Sequence, residues 1–116
     1  MTISQDQVVL FKPHGNIDLQ SGMTFSEQML AVTPQSDQLW VIDLSYVDFM
    51  DSSGLVPLIN GLTLARQSGF RLVLCNVQAP VRLILELTQL DSVFEIFDTY
   101  EDIFSNINHK NLALAS

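Results

Sequence analysis

Cysteine, basic residues and long apolar runs are all scarce in this chain of 116 residues. A single cysteine, Cys75, can form no internal disulfide and has no second thiol with which to hold zinc. It stands inside the stretch FRLVLC, where a buried strand residue acting as a small hydrophobe is expected. Five lysines and arginines face 13 aspartates and glutamates, for a formal net charge of −8. A surface of that sign repels phosphate backbones and anionic lipid headgroups. Nucleic-acid and membrane-surface binding are disfavoured, and a basic partner protein is attracted. No apolar run approaches the roughly 18 residues of a membrane span, so no membrane insertion is expected. The opening MTISQDQVVLFK has no basic segment followed by a long apolar one, so no signal peptide is expected either. A cytoplasmic domain follows. With only His14 and His109 as histidines, no metal site and no catalytic residue is expected.

What the chain does have is apolar residues, 47% of the total, against 16% charged ones. That suits one domain with one core. Strand-like and helix-like stretches alternate. QVVLFK at 7–12 reads as a strand and PHGN as a turn. Asp18 is an N-cap candidate, and Gly22, Phe25, Met29 and Val32 recur at helical spacing, leaving Leu19, Met23 and Leu30 off that face. QLWVIDL at 38–44 has the continuous apolar character of a central strand, and SYVDFM leads from it to a pair of serines. Leu55, Leu58, Ile59, Leu62 and Ala65 trace a second helix, closed by Gly69 as its left-handed C′ residue. FRLVLC at 70–75 is a third strand. Pro80 opens a third helix, with Val81, Ile84, Leu87 and Leu90 or Asp91 along one line. VFEIF at 93–97 is a fourth strand, and Asp98 with Glu101 has capping-box spacing for a last helix to about Asn106. The order β-α-β-α-β-α-β-α predicts an α/β sandwich, a mostly parallel central sheet of about four to five strands with helices packed against it. The core would run over about 7–105, with 106–116 a flexible tail.

The stretch DFMDSSGLVPLI at 48–59 carries the functional question. It places Ser52 and Ser53 after a central strand and at the start of a helix. Functional groups of open α/β sheets gather at the carboxyl ends of strands. A helix start offers unpaired N–H groups and the positive end of the dipole, so a phosphate on Ser52 would be tolerated there. Asp, Ser and Gly are also ordinary N-cap residues, and spacing alone favours that plainer role. With Ser53 as the cap, Pro57 falls at the fourth helical residue, so the regular helix is expected to begin a residue or two later than the serines suggest.

FMDSSGL resembles the signature of the STAS domain, shared by sulfate transporters and anti-sigma factor antagonists. GNID at 15–18 resembles that family's G-E-L-D segment. VIDLSYVDFMDSSGL, RLVLCNV, APVRLILELTQLDSVFEIF and DTYEDIF follow in the family's order, so that about residues 7–105 are covered. The resemblance implies a single STAS domain over 1–116 with the STAS sandwich fold. It also implies partner switching. The unphosphorylated antagonist binds a serine kinase that is also an anti-sigma factor, is released when that kinase phosphorylates it, and is reset by a serine phosphatase. On this pattern Ser52 is the phosphoacceptor. Asp51 flanks it and Asp18 lies near the docking surface; with Ser53, Gly54 and Leu55, and with Leu19, Met23 and Met50 as apolar contacts beside the acceptor, they make up the expected partner-binding surface. No P-loop is present, so the ATP would belong to the partner and no cofactor is expected; the free protein would be a monomer. Asn16 replaces the acidic residue of G-E-L-D, Val56–Pro57 brings a proline, and Gln89 stands where many members have glycine. The alternative is a phosphorylation-independent STAS scaffold subunit of a transporter or signalling complex, with Ser52 a mere helix cap. A hydrolase is disfavoured, because Ser52 has no evident base and DSSGL is no G-x-S-x-G elbow.

Overall fold

The computed structural model describes residues 7–105. Its strands are β1 (Val8–Phe11), β2 (Gly15–Ile17), β3 (Leu39–Asp43), β4 (Val47–Met50), β5 (Arg71–Cys75) and β6 (Glu95–Phe97). Its helices are α1 (Leu19–Leu30), α2 (Ser52–Ser68), α3 (Ala79–Leu87) and α4, which begins at residue 100. Among the described residues β1, β3, β5 and β6 form one sheet in the order β1-β3-β5-β6, every pair parallel. β3 lies inside the sheet and all five of its residues are buried, which is why its sequence shows no alternation. On one face Trp40 and Ile42 pack with Phe25, Met29, Leu58, Val81 and Leu85 from α1, α2 and α3. On the other, Leu39, Val41, Val73 and Cys75 meet Ile103, Tyr100 and Phe104 of α4. Parallel strands joined by helices and covered on both faces are the expected α/β sandwich.

The expected helix signals hold at several ends. Asp18 caps α1, with its carboxylate accepting from the Ser21 N–H and the Ser21 hydroxyl accepting from the Asp18 N–H. Gly69 takes the left-handed conformation at the end of α2, and Pro80 lies in the first turn of α3. Gly22, Phe25 and Met29 are the buried face of α1, and Leu19, Met23 and Leu30 point to solvent. Cys75 is buried and free, and burial, helped by the Asp43 charge, pushes its thiol up to about 12, well out of the reactive range.

Four expectations are corrected. PHGN and SYVDFM, expected as turn and connection, contribute β2 and β4, a short parallel ladder of their own. Each is too brief for a period of two to show: in β4 only the end residues Val47 and Met50 are buried. In α3 the buried pair is Val81 and Leu85, four apart, whereas Leu87 is exposed, because only one turn of this helix sits on the core. In α2, Ile59 is largely exposed beside the buried Leu58. At α4 the cap is Thr99, whose hydroxyl accepts from the Asp102 N–H, rather than Asp98. Asn106 and the tail 106–116 lie outside the described residues.

Gln89, between α3 and the 3-10 turn at Leu90–Ser92, has φ 63°. A Cβ is disfavoured there by about 1 kcal/mol, which glycine would relieve. Gln89→Gly should therefore raise the urea midpoint by the equivalent of about 1 kcal/mol with an unchanged m-value.

Asp43 ends β3 and, among the described residues, is the charged side chain in the core. Burial opposes its ionisation. The Ser45 N–H and Asn76 amide, both donating to Oδ1, and the nearby Lys12 outweigh that cost and hold the carboxyl below its ordinary 3.8. A depressed carboxyl contributes stability above its unfolded value and loses it as pH falls through the folded one. Asp43→Asn should shrink the loss of stability below about pH 4, read as urea midpoints across an acid series.

Candidate functional site at the start of α2

The site is built by the β2–β4 ladder. Its register sets Ile17 opposite Met50, so the residues that follow, Asp18 and Asp51, emerge side by side. Each turns its strand into a helix by the same device. Asp51 has extended backbone, and its Oδ1 accepts from the Gly54 N–H at 3.2 Å. The Asp51 N–H in turn donates to the Ile17 carbonyl at 3.4 Å, tying the start of α2 to the end of β2. Hydrogen bonds from the Ser21 backbone N–H, then its hydroxyl, hold the Asp18 carboxyl below its ordinary value.

Asp51, not Ser53, is therefore the N-cap, and α2 begins at Ser52, earlier than expected. Neither serine is needed to close the helix. Ser52 is the first helical residue and is exposed; Ser53 is half-buried. The helix runs unbroken through Pro57, which is buried and stands deeper in it than the first turn.

Glycine at 54 is a steric requirement. A Cβ there would meet the Met50 Cγ at 2.5 Å and the Ile17 carbonyl oxygen at 2.7 Å. This contact also corrects the expected docking surface. Met50 is 0% exposed and Leu55 5%, and Gly54 is buried against them, so these three support the site from beneath and present nothing to a partner. Asp18, Leu19 and Met23 do face solvent, the latter two at 65% and 58% exposure.

Leu19 and Met23 line a groove of about 360 Å³ between α1 and α2, together with Gly22, Ser53, Val56 and Pro57. Gly22, Val56 and Pro57 were not foreseen as site residues. The legible signal was Pro57 in a helical pattern, together with the residues that fall off the buried face of α1. On the strand side, Phe49 and Tyr46 are also exposed, and the His14 ring stacks flat on Tyr46 at 4.8 Å. The carboxylates of Asp18 and Asp51 stand at the starts of α1 and α2. The start of α2 thus presents an exposed hydroxyl with Asp18 and Asp51 at the adjoining helix starts and exposed apolar side chains close by on α1. Among the described residues no group of three His, Cys, Asp or Glu side chains could hold a metal ion, and no helix is long and apolar enough to cross a membrane.

The STAS domain family model matches residues 1–103, and the chain belongs to that family. An anti-sigma F factor antagonist from Paenibacillus polymyxa is 28% identical over 92 residues, covering 78% of this chain and 79% of that protein. The crystal structure of an anti-sigma factor antagonist from Mycobacterium paratuberculosis superposes with a TM-score of 0.73 at 28% identity, over 93% of this chain and 92% of that one. The STAS domain of a SulP transporter from Vibrio cholerae shares the fold, with a TM-score of 0.72 at 16% identity over 97% and 88% of the two chains.

The two local devices predict different losses in urea unfolding. Asp51→Ala removes one cap and should cost about 1 kcal/mol. Gly54→Ala drives a Cβ into backbone as well as side chain and should cost about 3 kcal/mol.

Proposed function

We propose that this protein is an anti-sigma factor antagonist that works by partner switching, with Ser52 as the phosphoacceptor. In its unphosphorylated form it binds a serine kinase that is also an anti-sigma factor. That kinase spends ATP on Ser52, the complex separates, and a serine phosphatase restores the hydroxyl. The cycle belongs to the cytoplasm. The observation that carries this reading is the exposure of Ser52 at the first turn of α2, beside Asp18 and Asp51, in a helix that Asp51 already caps. The names borne by the Paenibacillus and Mycobacterium proteins support the same reading.

The physics of the switch is local. A phosphoserine adds about −1.5 to −2 charges. At a helix start the dipole and free N–H groups offset part of that charge, so the domain stays folded. A partner that closed over a neutral hydroxyl would have to bury a dianion among carboxylates, which costs affinity. The scaffold alternative leaves Ser52 only the work of a cap, which Asp51 performs.

Incubation with cell extract and ATP, followed by intact-mass measurement, should add one phosphate to the parent chain and to Ser53→Ala but none to Ser52→Ala. In pull-downs, Ser52→Asp should retain a kinase at least about tenfold more weakly than Ser52→Ala. Equal retention, or labelling indifferent to Ser52, would favour the scaffold.

A further inference from the structure

A second cavity, of about 310 Å³, lies on another side of α1, against the link from β1 to β2. Ser21, Thr24, Phe25 and Gln28, at helical spacings of three and four, give it one wall. Its floor is apolar: Ile17 and Phe25 are almost wholly buried, and the half-buried Pro13 adds to them from the link. Its rim is polar, with Lys12, His14 and Gln28 exposed. Among the described residues the Lys12 ammonium, the His14 ring nitrogens and the Gln28 side-chain amide make no hydrogen bond, and Lys12 closes no ion pair. Asp43 attracts that ammonium only through space. Neither an aspartate nor a glutamate lines the cavity, in a chain that has 13 of them.

An apolar floor with a few free polar groups at its mouth, in a volume near the lower end of roughly 300–1,000 Å³, is the form of a small-molecule site. The free groups decide the chemistry of the ligand. A cation would meet Lys12 and no carboxylate. A compact, multiply charged anion would find a single lysine in a chain of net charge −8, and would cover none of the apolar floor. We propose that this cavity binds an amphiphilic monocarboxylate, whose apolar part covers Ile17 and Phe25 while its carboxylate pairs with the Lys12 ammonium and accepts from the Gln28 amide. Both groups donate, and a carboxylate is an acceptor only, so the match is complete. α1 then carries the ligand on one side and the exposed Leu19 and Met23 on another. Ser21 ties the cavity wall to the start of that helix, because its N–H and hydroxyl complete the cap at Asp18. Occupancy braces the helix that presents the exposed face, and it is independent of phosphate on Ser52.

The test is a heteronuclear NMR titration of the isotope-labelled full chain with three probes: hydrocinnamate, its uncharged primary amide, and inorganic phosphate. Hydrocinnamate should shift backbone amides in the segments 12–17 and 21–28 saturably. It should bind about tenfold tighter than its amide, the value of one charged hydrogen bond. Phosphate should leave the same signals in place. Lys12→Gln changes an exposed side chain, so its spectrum should stay that of the folded protein while the affinities for carboxylate and amide become equal. The proposal is overturned by the absence of a saturable shift with hydrocinnamate, by shifts centred outside those segments, or by equal affinity for the amide. A preference that survives Lys12→Gln, or phosphate shifting the same amides as strongly, overturns it as well. Because no kinase takes part, failure of Ser52 phosphorylation leaves these affinities untouched, and the two readings fall separately.

Discussion

The contact of Gly54 with Met50 and the Ile17 carbonyl holds two helix starts against two strand ends, and the site exists because of it. β2 and β4 are short and pair mainly with each other. Their ladder brings Asp18 next to Asp51, and each carboxylate then converts its strand into a helix by accepting a backbone N–H from the residue three positions on. With no Cβ at position 54, α2 approaches the end of β2 closely enough for the Asp51 N–H to reach the Ile17 carbonyl. Everything exposed on this face, from Leu19 to Val56, is positioned by that junction.

Beneath the junction lies a conventional core that does not need to move. β3 is sealed on both faces, and Trp40 stacks on Phe70 at a ring separation of 4.3 Å and meets Phe11 tilted at 5.2 Å. On such a base the proposed phosphate on Ser52 would change the charge of this face and leave its shape as it is. The helix dipole favours an anion at Ser52 by about 0.3–1 kcal/mol. Neighbouring carboxylates oppose it by a similar amount, since two exposed charges 4 Å apart repel by roughly 1 kcal/mol in water. The two effects nearly cancel for folding. They do not cancel for a partner, which would exclude the water that screens the repulsion.

Much of the scaffold was legible because its signals are local. The apolar run of β3, the left-handed turn at Gly69, the proline in the first turn of α3 and the cap at Asp18 each follow from the conformational preferences of a few adjacent residues. The resemblance to the STAS domain added Ser52 and its flanking aspartates. The exposed face was only half legible. Leu19 and Met23 could be placed outside by helical periodicity, and Leu55 lay on the apolar stripe of the second helix, but Met50 could not be placed inside, because it pairs with β2, a strand whose sequence has the character of a turn. The groove was missed for the same kind of reason, since its floor is a meeting of Gly22 on one helix with Ser53 and Pro57 on another.

The alternation of the four main-sheet strands with helices, the capping of α1, the buried thiol of Cys75 and the acidic character of the surface were determined by residue type and spacing along the chain, because rotamers, caps and periodic burial act over a few residues. Which serine faces solvent, which aspartate caps α2, and which apolar side chains remain uncovered were decided by tertiary packing. These properties arise where β2, β4, α1 and α2 converge, and the contacts of Ile17 with Met50 and Gly54, and of Gly22 with Ser53 and Pro57, join residues more than thirty positions apart.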